Sequence, residues 1–154
     1  MGLDSGAVVG QNRLTAQSQF CYLAVMTTAT ELAQQLVDAC NAGREATTAM
    51  QDAIYSTDAT STEAMGPPGE DLVAVGLEAI KGKGEWWYNN HEIHTMEVEG
   101  PFVNGDNFCV IFALDATPKA GPMEGQRFSM REVAHYATAN GKIVAETFLM
   151  PPMG

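Results

Sequence analysis

The residues from Gly84 to Glu99 concentrate groups that could take part in chemistry, since they include both tryptophans, two of the three histidines and four glutamates. His91 and His94 are three residues apart, whereas zinc-binding H-E-x-x-H helices carry their histidines four apart on one face. On a strand, residues three apart point to opposite faces. The spacing therefore predicts no metal site, and it leaves His94 as either an acid/base candidate or a structural histidine.

Glu132 is a second candidate because its neighbours are apolar. If residues 126–138 form a strand, Glu132 shares one face with Phe128, Met130, Ala134 and Tyr136. A carboxyl group in such surroundings needs either a partner, such as a neighbouring arginine, or a proton. Glu146 lies in a similar position between Val144 and Phe148, where a structural ion pair is the simpler interpretation.

Three helices are predicted to precede these strands, because apolar residues recur there at helical spacing. The first begins at the capping box Thr28–Glu31 and stops at Gly43, which suits a left-handed position. The second spans about Arg44 to Ile54, and the third about Leu77 to Asn90. Residues 59–64 are predicted to form a short strand between the second and third helices.

Four strands are predicted after residue 90, at 91–103, 107–117, 126–138 and 142–150, because apolar residues there alternate or run continuously between turns. Asn140-Gly141 is a strong hairpin sequence. Consecutive hairpins make an antiparallel meander, which predicts an α+β fold with the helices on one side of the sheet.

The second of these strands is apolar on both faces. Phe108, Val110, Phe112 and Leu114 form one face, and the other is formed by Cys109, Ile111, Ala113 and Asp115. A strand that is apolar on both faces must be covered on both, which favours a homodimer through the sheet over a monomer. We assign the face that carries Ile111 and Asp115 to a cavity, with Asp115 near its mouth.

The composition limits the possible partners. The 154 residues suffice for one domain with a real core, and a net charge of −11 argues against nucleic acid or anionic membranes. Three widely spaced cysteines without a CxxC motif fit a reducing compartment, so the protein is predicted to be cytoplasmic. Residues 1–25 are predicted to be a loosely ordered extension of a domain at 26–152.

Five short segments occur in the order typical of one known family. Together they resemble a SnoaL-like domain of the nuclear transport factor 2-like superfamily, in the branch related to ketosteroid isomerase, over residues 27–150. The segments are Leu36–Gly43, Tyr55–Thr60, Gly76–Ile80, Val103–Asp106 and Asn140–Val144. The resemblance implies a cone, in which a curved antiparallel sheet wraps around helices and encloses a pocket.

The same resemblance implies roles for particular residues. The general-base carboxylate of the isomerases would fall on Glu63, and the protonated acid of their oxyanion hole on Glu132. The oxyanion-hole tyrosine would fall on Ala33, a departure that leaves the steroid-isomerase site incomplete. Steroid isomerisation itself is therefore not carried over.

The predicted function is cofactor-free general acid/base catalysis by an isomerase, cyclase or dehydratase that acts on a hydrophobic carbonyl compound. Its competitor is a non-catalytic ligand-binding or assembly domain of the same fold. Neither requires a metal, nucleic acid or a membrane. The predicted catalytic residues are Glu63, Glu132 and His94, and the predicted substrate-binding residues are Trp87, Tyr136, Asp115, Met130, Ile111 and Phe148.

Overall fold

The computed structural model describes residues 26–152, so the predicted extension at residues 1–25 lies outside the described residues. The predicted helices and the four strands after residue 90 are confirmed, with ends that differ by one or two residues. The elements are α1 (Ala29–Ala42), α2 (Arg44–Ile54), β1 (Tyr55–Thr62), β2 (Val73–Val75), α3 (Leu77–Asn90), β3 (His91–Asn104), β4 (Asn107–Pro118), β5 (Phe128–Ala139) and β6 (Lys142–Leu149).

Residue types at the helix ends explain where α1 and α2 begin and stop. The Thr28 hydroxyl accepts a hydrogen bond from the Glu31 amide, and the Glu31 carboxylate accepts one from the Thr28 amide at 2.8 Å. These two bonds satisfy amides that have no partner within the helix. Gly43, at φ 111°, ends α1 and starts α2, in a conformation that only glycine adopts easily.

The six strands form one sheet in the order β2-β1-β6-β5-β4-β3. Strands β3 to β6 make the predicted antiparallel meander, but β1 pairs in parallel with β6, so the sheet is mixed. The sequence did not predict how β1 pairs, because β1 joins the sheet through a partner far away in sequence. Strand β1 also begins at Tyr55, directly after α2 and earlier than predicted, and the unpredicted β2 pairs with its end.

The main core lies between the helices and one face of the sheet, which we call the inner face. Phe108 and Val110 of β4 are fully buried there and belong to one cluster with Leu32, Leu36 and Ile80 of the helices. The Phe108 ring stacks on the Tyr136 ring, with centroids 4.7 Å apart. The inner face is therefore the side of the sheet that the helices cover.

The assignment of Ile111 and Asp115 to a cavity was wrong. In the register of β4 and β5, Phe112 pairs with Glu132, whereas Ile111 pairs with Val133 and Asp115 with Ser129. Because directly paired residues share a face, Glu132 is on the inner face and Ile111 and Asp115 are on the opposite one, the outer face. The error arose because both faces of β4 are apolar, so alternation alone could not tell which of them the helices cover.

The outer face is expected to pack against a second copy of the chain, because large apolar groups lie in water there. Phe102 is 57% exposed, Leu149 50% and Val133 36%, and monomers rarely expose large apolar patches. Val133 pairs directly with Ile111 and Leu149, so it lies inside the patch. Within residues 26–152, no helix is both long and apolar enough to cross a membrane.

Replacing Val133 by glutamate is expected to convert a dimer into a monomer, since it would place a charge inside an apolar contact. Sedimentation velocity at several concentrations measures the change. Gln34→Glu, at an exposed position of α1, adds the same charge away from the sheet and should leave the dimer intact. A wild-type chain that sediments as a monomer at all concentrations would contradict the expectation.

Candidate active site

Strand pairing brings three polar side chains together on the inner face. Glu146 of β6 pairs with Ser61 of β1 on one side and with Tyr136 of β5 on the other. Glu132 lies two inner positions along β5 from Tyr136, and Glu63 directly follows the end of β1. The two carboxylates that were predicted to act together thus lie in one region of the inner face.

Lys83 of α3 connects this region. Its Nζ lies 2.6 Å from Glu63 Oε1 and 3.5 Å from Glu146 Oε1, and it donates a hydrogen bond to the Ser61 hydroxyl. It also lies 4.6 Å from the centroid of the Phe148 ring, close enough for a cation–π contact. We call Glu63, Lys83, Glu132 and Glu146 the carboxylate cluster.

The spacing of residues in α3 contained a signal that could have identified Lys83 as a site residue. It is three residues after Ile80 and four before Trp87, so it lies on the same side of α3 as these two residues. A lysine on the covered side of a helix needs a carboxylate partner, just as Glu132 among apolar neighbours needs a partner or a proton.

Glu146 is the most deeply buried carboxylate of the cluster, with 4% of the residue exposed. The Tyr55 hydroxyl donates to Glu146 Oε2 at 2.5 Å, while Lys83 contacts the other oxygen. Burial, and next the charge of Glu146, raise the pKa of Tyr55 well above its usual value. Tyr55 therefore stays protonated and serves as a donor, and the structural ion pair expected at Glu146 is present.

Glu132 has the properties of a carboxylic acid that keeps its proton. Burial raises its pKa to about 7, with a further contribution from the charge of Glu63, while Lys83 opposes the increase. Glu132 is only partly buried, so it can reach a ligand on the inner face. Near pH 7 both of its forms are populated, which suits a group that gives and takes protons.

Glu132 is expected to make the stability of the wild type depend on pH. Its folded pKa of about 7 lies above the usual 4.5, so between these values the folded state keeps a proton that the unfolded state has lost. The contribution of Glu132 to the free energy of unfolding is therefore largest at low pH, and it decreases as the pH rises towards 7. Urea unfolding at pH 5.5 and 8 should show that Glu132→Gln, which does not ionise, gains stability relative to the wild type at the higher pH.

The matched control is Glu124→Gln in the exposed loop before β5. Its stability should follow that of the wild type at both pH values, because an exposed glutamate has nearly the same surroundings in the folded and unfolded states. A Glu132→Gln variant that also follows the wild type would contradict the raised pKa.

The predicted substrate-binding residues on β5 and β6 lie on the inner face, but not all of them can line an open site. Met130 and Phe148 are partly buried beside Glu132, and Phe148 is 6.3 Å from the Phe112 ring. Tyr136 is only 1% exposed and stacks on Phe108. Tyr136 is thus a core residue beneath the cluster, and the expectation that it forms a wall of an open site does not fit its burial.

Trp87 lies at the junction of α3 and β3, where four aromatic rings meet. Its ring stacks on His91 with centroids 3.7 Å apart, and Phe128 is edge-on to both rings. His91 Nδ1 donates to the Trp87 carbonyl at 3.0 Å, which leaves Nε2 as an acceptor in the neutral ring. The Trp86 ring is edge-on to His91 and is exposed. We call Trp86, Trp87, His91 and Phe128 the aromatic cluster.

His94 is not part of either cluster. The pairing of β3 with β4 is irregular between Ile93 and Thr95, and at this bulge His94 Nε2 lies 2.8 Å from Thr117 Oγ1. Its Nδ1 is 3.9 Å from Glu92. The expectation that His94 joins the catalytic carboxylates is corrected, because a bulge changes which side chains face inward.

Asp115 is likewise occupied on the outer face. It accepts two hydrogen bonds from Arg127, at 2.7 and 2.9 Å, and this guanidinium lowers the pKa of the carboxyl group. Ile111 lies on the same face as Asp115. Three predicted site residues, namely His94, Ile111 and Asp115, therefore lie apart from Glu63 and Glu132. His91, which the sequence analysis considered only as a metal ligand, is a histidine of the inner face.

Two surface pockets lie away from the carboxylate cluster. One of about 310 Å³ lies between α1, the end of α2 and the β5–β6 turn, and one of about 550 Å³ lies along α2. Neither contains a member of the cluster. Within residues 26–152, no three His, Cys, Asp or Glu side chains are placed to bind a metal ion.

Comparisons with known proteins agree with this architecture. A family profile described as "SnoaL-like domain" matches residues 26–150. A crystal structure from Mesorhizobium loti is 38% identical, with 80% of this chain and 99% of that chain aligned and a TM-score of 0.71. It is provisionally named a SnoaL-like polyketide cyclase, with carbohydrate phosphatase added in brackets. No curated protein matches.

Two more distant structures show the same fold. One from Jannaschia, also provisionally named a SnoaL-like polyketide cyclase, is 18% identical over 91% of this chain and 90% of that chain, with a TM-score of 0.62. One from Bacillus subtilis, provisionally named an isomerase, is 15% identical over 80% of this chain and 86% of that chain, with a TM-score of 0.59. The chain belongs to the SnoaL-like domain family, with the α+β fold that the sequence predicted.

Proposed function

We propose that the protein is a cofactor-free enzyme that moves a proton next to a carbonyl group, with Glu63 as base and Glu132 as acid. The observation that carries this proposal is the contrast between the two carboxyl groups. Glu63 is ion-paired with Lys83 at 2.6 Å, whereas burial raises the pKa of Glu132 to about 7. Carboxyl groups whose surroundings separate their protonation states are suited to opposite roles in proton transfer.

The reaction follows from these roles. Glu63 takes a proton from the carbon next to the carbonyl, and the electrons of that C–H bond form a C=C bond as the carbonyl π electrons move to oxygen. Glu132 gives its proton to that oxygen, so the immediate product is an enol. If the enol is conjugated with a second C=C bond, Glu63 gives its proton to the far carbon of that bond while Glu132 takes back the O–H proton, and the product is an isomer. If the enol carbon instead attacks a second carbonyl, Glu132 takes back the O–H proton, Glu63 protonates the new alkoxide, and the ring closes.

The substrate is expected to be uncharged. The carboxylate cluster holds three acids, and its single lysine already contacts two of them. The other described lysines and arginines bind partners elsewhere, namely Asp115, Glu99, Asp52, the Tyr88 ring and the backbone carbonyl groups of Asn89 and Ala53. A phosphate or carboxylate on the ligand would therefore meet like charges.

Two of the activities that the similar structures are named for fit this chemistry. A cyclase or an isomerase can work through an enol, and the Bacillus subtilis name gives an isomerase, while the Mesorhizobium loti name gives a cyclase beside the bracketed carbohydrate phosphatase. The aromatic cluster suits a ring-containing substrate, since stacked aromatic rings offer a flat apolar surface.

Deuterium exchange tests the proposal without knowledge of the natural substrate. The probe is alpha-tetralone, an uncharged ketone fused to an aromatic ring, incubated near pH 7 in deuterated water and followed by proton NMR. Loss of the signal of the protons beside the carbonyl should be faster with the protein than with buffer alone. No acceleration at a probe concentration that saturates binding would overturn the catalytic proposal for this class of ketone.

The competing function is ligand binding without catalysis, and one observation favours it. Trp86 is 59% exposed beside the stacked Trp87 and His91 rings, which is an arrangement that can hold a ring without any chemistry. The same NMR sample distinguishes the two functions, because a binding domain would broaden or shift the probe signals without exchanging its protons.

A further inference from the structure

We propose that Lys83 is a positioning residue that decides which carboxyl group of the cluster carries the proton. Its ammonium group holds Glu63 and Glu146 as ion-paired carboxylates and leaves Glu132 as the acid. This inference rests on the proposed function, since it explains how the two roles become separated. It concerns a residue to which neither the sequence nor the family resemblance gave a role.

The contacts of Lys83 support this inference. Its Nζ touches Glu63 and Glu146 and donates to the Ser61 hydroxyl, so its partners come from β1, the residue after β1, and β6. The Phe148 ring covers another side of the ammonium group. No hydrogen bond or ion pair within residues 26–152 joins Lys83 to Glu132. Lys83 thus forms ion pairs with two of the three acids of the cluster, Glu63 and Glu146, and none with Glu132.

Burial differs between the two ion pairs of Lys83. Ser61, Glu146 and Tyr136 are buried, so little water weakens the interaction of Lys83 with Glu146, whereas the side chains of Lys83 and Glu63 are 29% and 35% exposed. The groups that titrate around Lys83 are Glu63 and Tyr55 of the β1 region, Glu132 and Tyr136 of β5, Glu146 of β6 and, farther away on α1, Cys40, whose pKa is raised to about 11 by burial. Of the residues that the structure describes, Lys83 is the only lysine or arginine among these groups.

Two carboxylates, a hydroxyl and an aromatic face also form a complete ammonium site. Each is a partner that an ammonium group prefers, and the four come from two segments of the chain, the β1 region and β6. Removing the lysine side chain beyond Cβ should leave room for a small alkylammonium ion in the same place. Rescue by such an ion would show that the charge, rather than the packing of the lysine stem, performs the role.

The experiment titrates the side-chain carboxyls of Glu63 and Glu132 by carbon-13 NMR in labelled protein, with Glu63→Gln and Glu132→Gln to assign the two signals. The quantity compared is the midpoint gap, the Glu132 midpoint minus the Glu63 midpoint. In Lys83→Met the midpoint gap should shrink by about one pH unit, because Glu63 loses a contact at 2.6 Å that favours its ionised form, whereas Glu132 has no ion pair with Lys83 to lose. In Lys83→Ala, added n-propylammonium chloride should restore the midpoint gap towards the wild-type value, whereas sodium chloride at equal ionic strength should not.

The matched control lies on the same helix. Lys81→Met removes the same charge two residues earlier, where Lys81 pairs with exposed Asp52, and it should leave the midpoint gap unchanged. Lys83→Arg keeps the charge and should stay near the wild type even if the neutral variants fold poorly. The inference is overturned if Lys83→Met leaves the midpoint gap in place, or if Lys81→Met changes it equally.

This test is independent of the proposed reaction, because it needs neither substrate nor turnover. A midpoint gap that shrinks in Lys83→Met, in a protein that does not exchange the ketone protons, would confirm the positioning role and reject the proposed function. A midpoint gap that stays unchanged in Lys83→Met, in a protein that does exchange them, would reject the positioning role and support the proposed function.

Discussion

Glu63→Gln is expected to lower the protein-dependent exchange of alpha-tetralone by about 10²- to 10⁴-fold, the usual contribution of a positioned general base. Glutamine has nearly the same size, so the fold and the packing around Lys83 should be preserved. An amide cannot accept the proton, however, and the first bond cleavage would have no acceptor. The dissociation constant of the ketone, measured by NMR titration, should change little, since the substrate is uncharged.

Glu70→Gln is the matched control, because Glu70 is an exposed glutamate in the loop that follows Glu63. It should retain the wild-type exchange rate. If Glu63→Gln also retains it, while Trp87→Ala weakens binding of the ketone, the protein is a binding domain and the aromatic cluster is its site. A Trp87→Ala variant that binds normally would remove the aromatic cluster from that account.

Tyr136→Ala is expected to reduce the free energy of unfolding by about 3–5 kcal/mol, which is the usual cost of truncating a large buried ring to alanine. The ring is only 1% exposed and stacks on Phe108, so its removal leaves a cavity in the middle of the inner face. Urea unfolding at a pH where the wild type is fully folded measures the loss.

Tyr136→Phe keeps the ring and should cost much less, which separates the contribution of packing from that of the hydroxyl. The comparison also decides whether Tyr136 is a core residue or, as the sequence suggested, a wall of the substrate site. A Tyr136→Ala protein of nearly normal stability that loses ketone binding would show that the ring lines the site and would contradict its place in the core.

Local sequence patterns predicted most of the fold. The capping box at Thr28 and the Asn140-Gly141 turn act within a few residues, so each could be recognised without tertiary information. The parallel pairing of β1 with β6 could not, because it joins residues that are far apart in sequence. The unpredicted β2 has only three residues, too few to show an alternating pattern.

The candidate site was predictable only in part, for similar reasons. Glu132 was conspicuous as an acid among apolar neighbours on one strand, and the family resemblance suggested Glu63. The bonds of Lys83 and Tyr55 to Glu146 cross between elements that no local pattern connects. His94 was preferred to His91 because the bulge at Ile93 and Thr95 cannot be seen in the alternation of residues.

Strand β6, the last strand of the described chain, lies in the middle of the sheet between β1 and β5. During synthesis on the ribosome the strands that flank it emerge first, and they cannot join until residues 142–149 arrive. Glu146 belongs to this last strand, so it contacts Tyr55 and Lys83 only when β6 inserts between β1 and β5. Completion of the sheet and burial of the cluster's central acid are consequently a single event in the maturation of the protein.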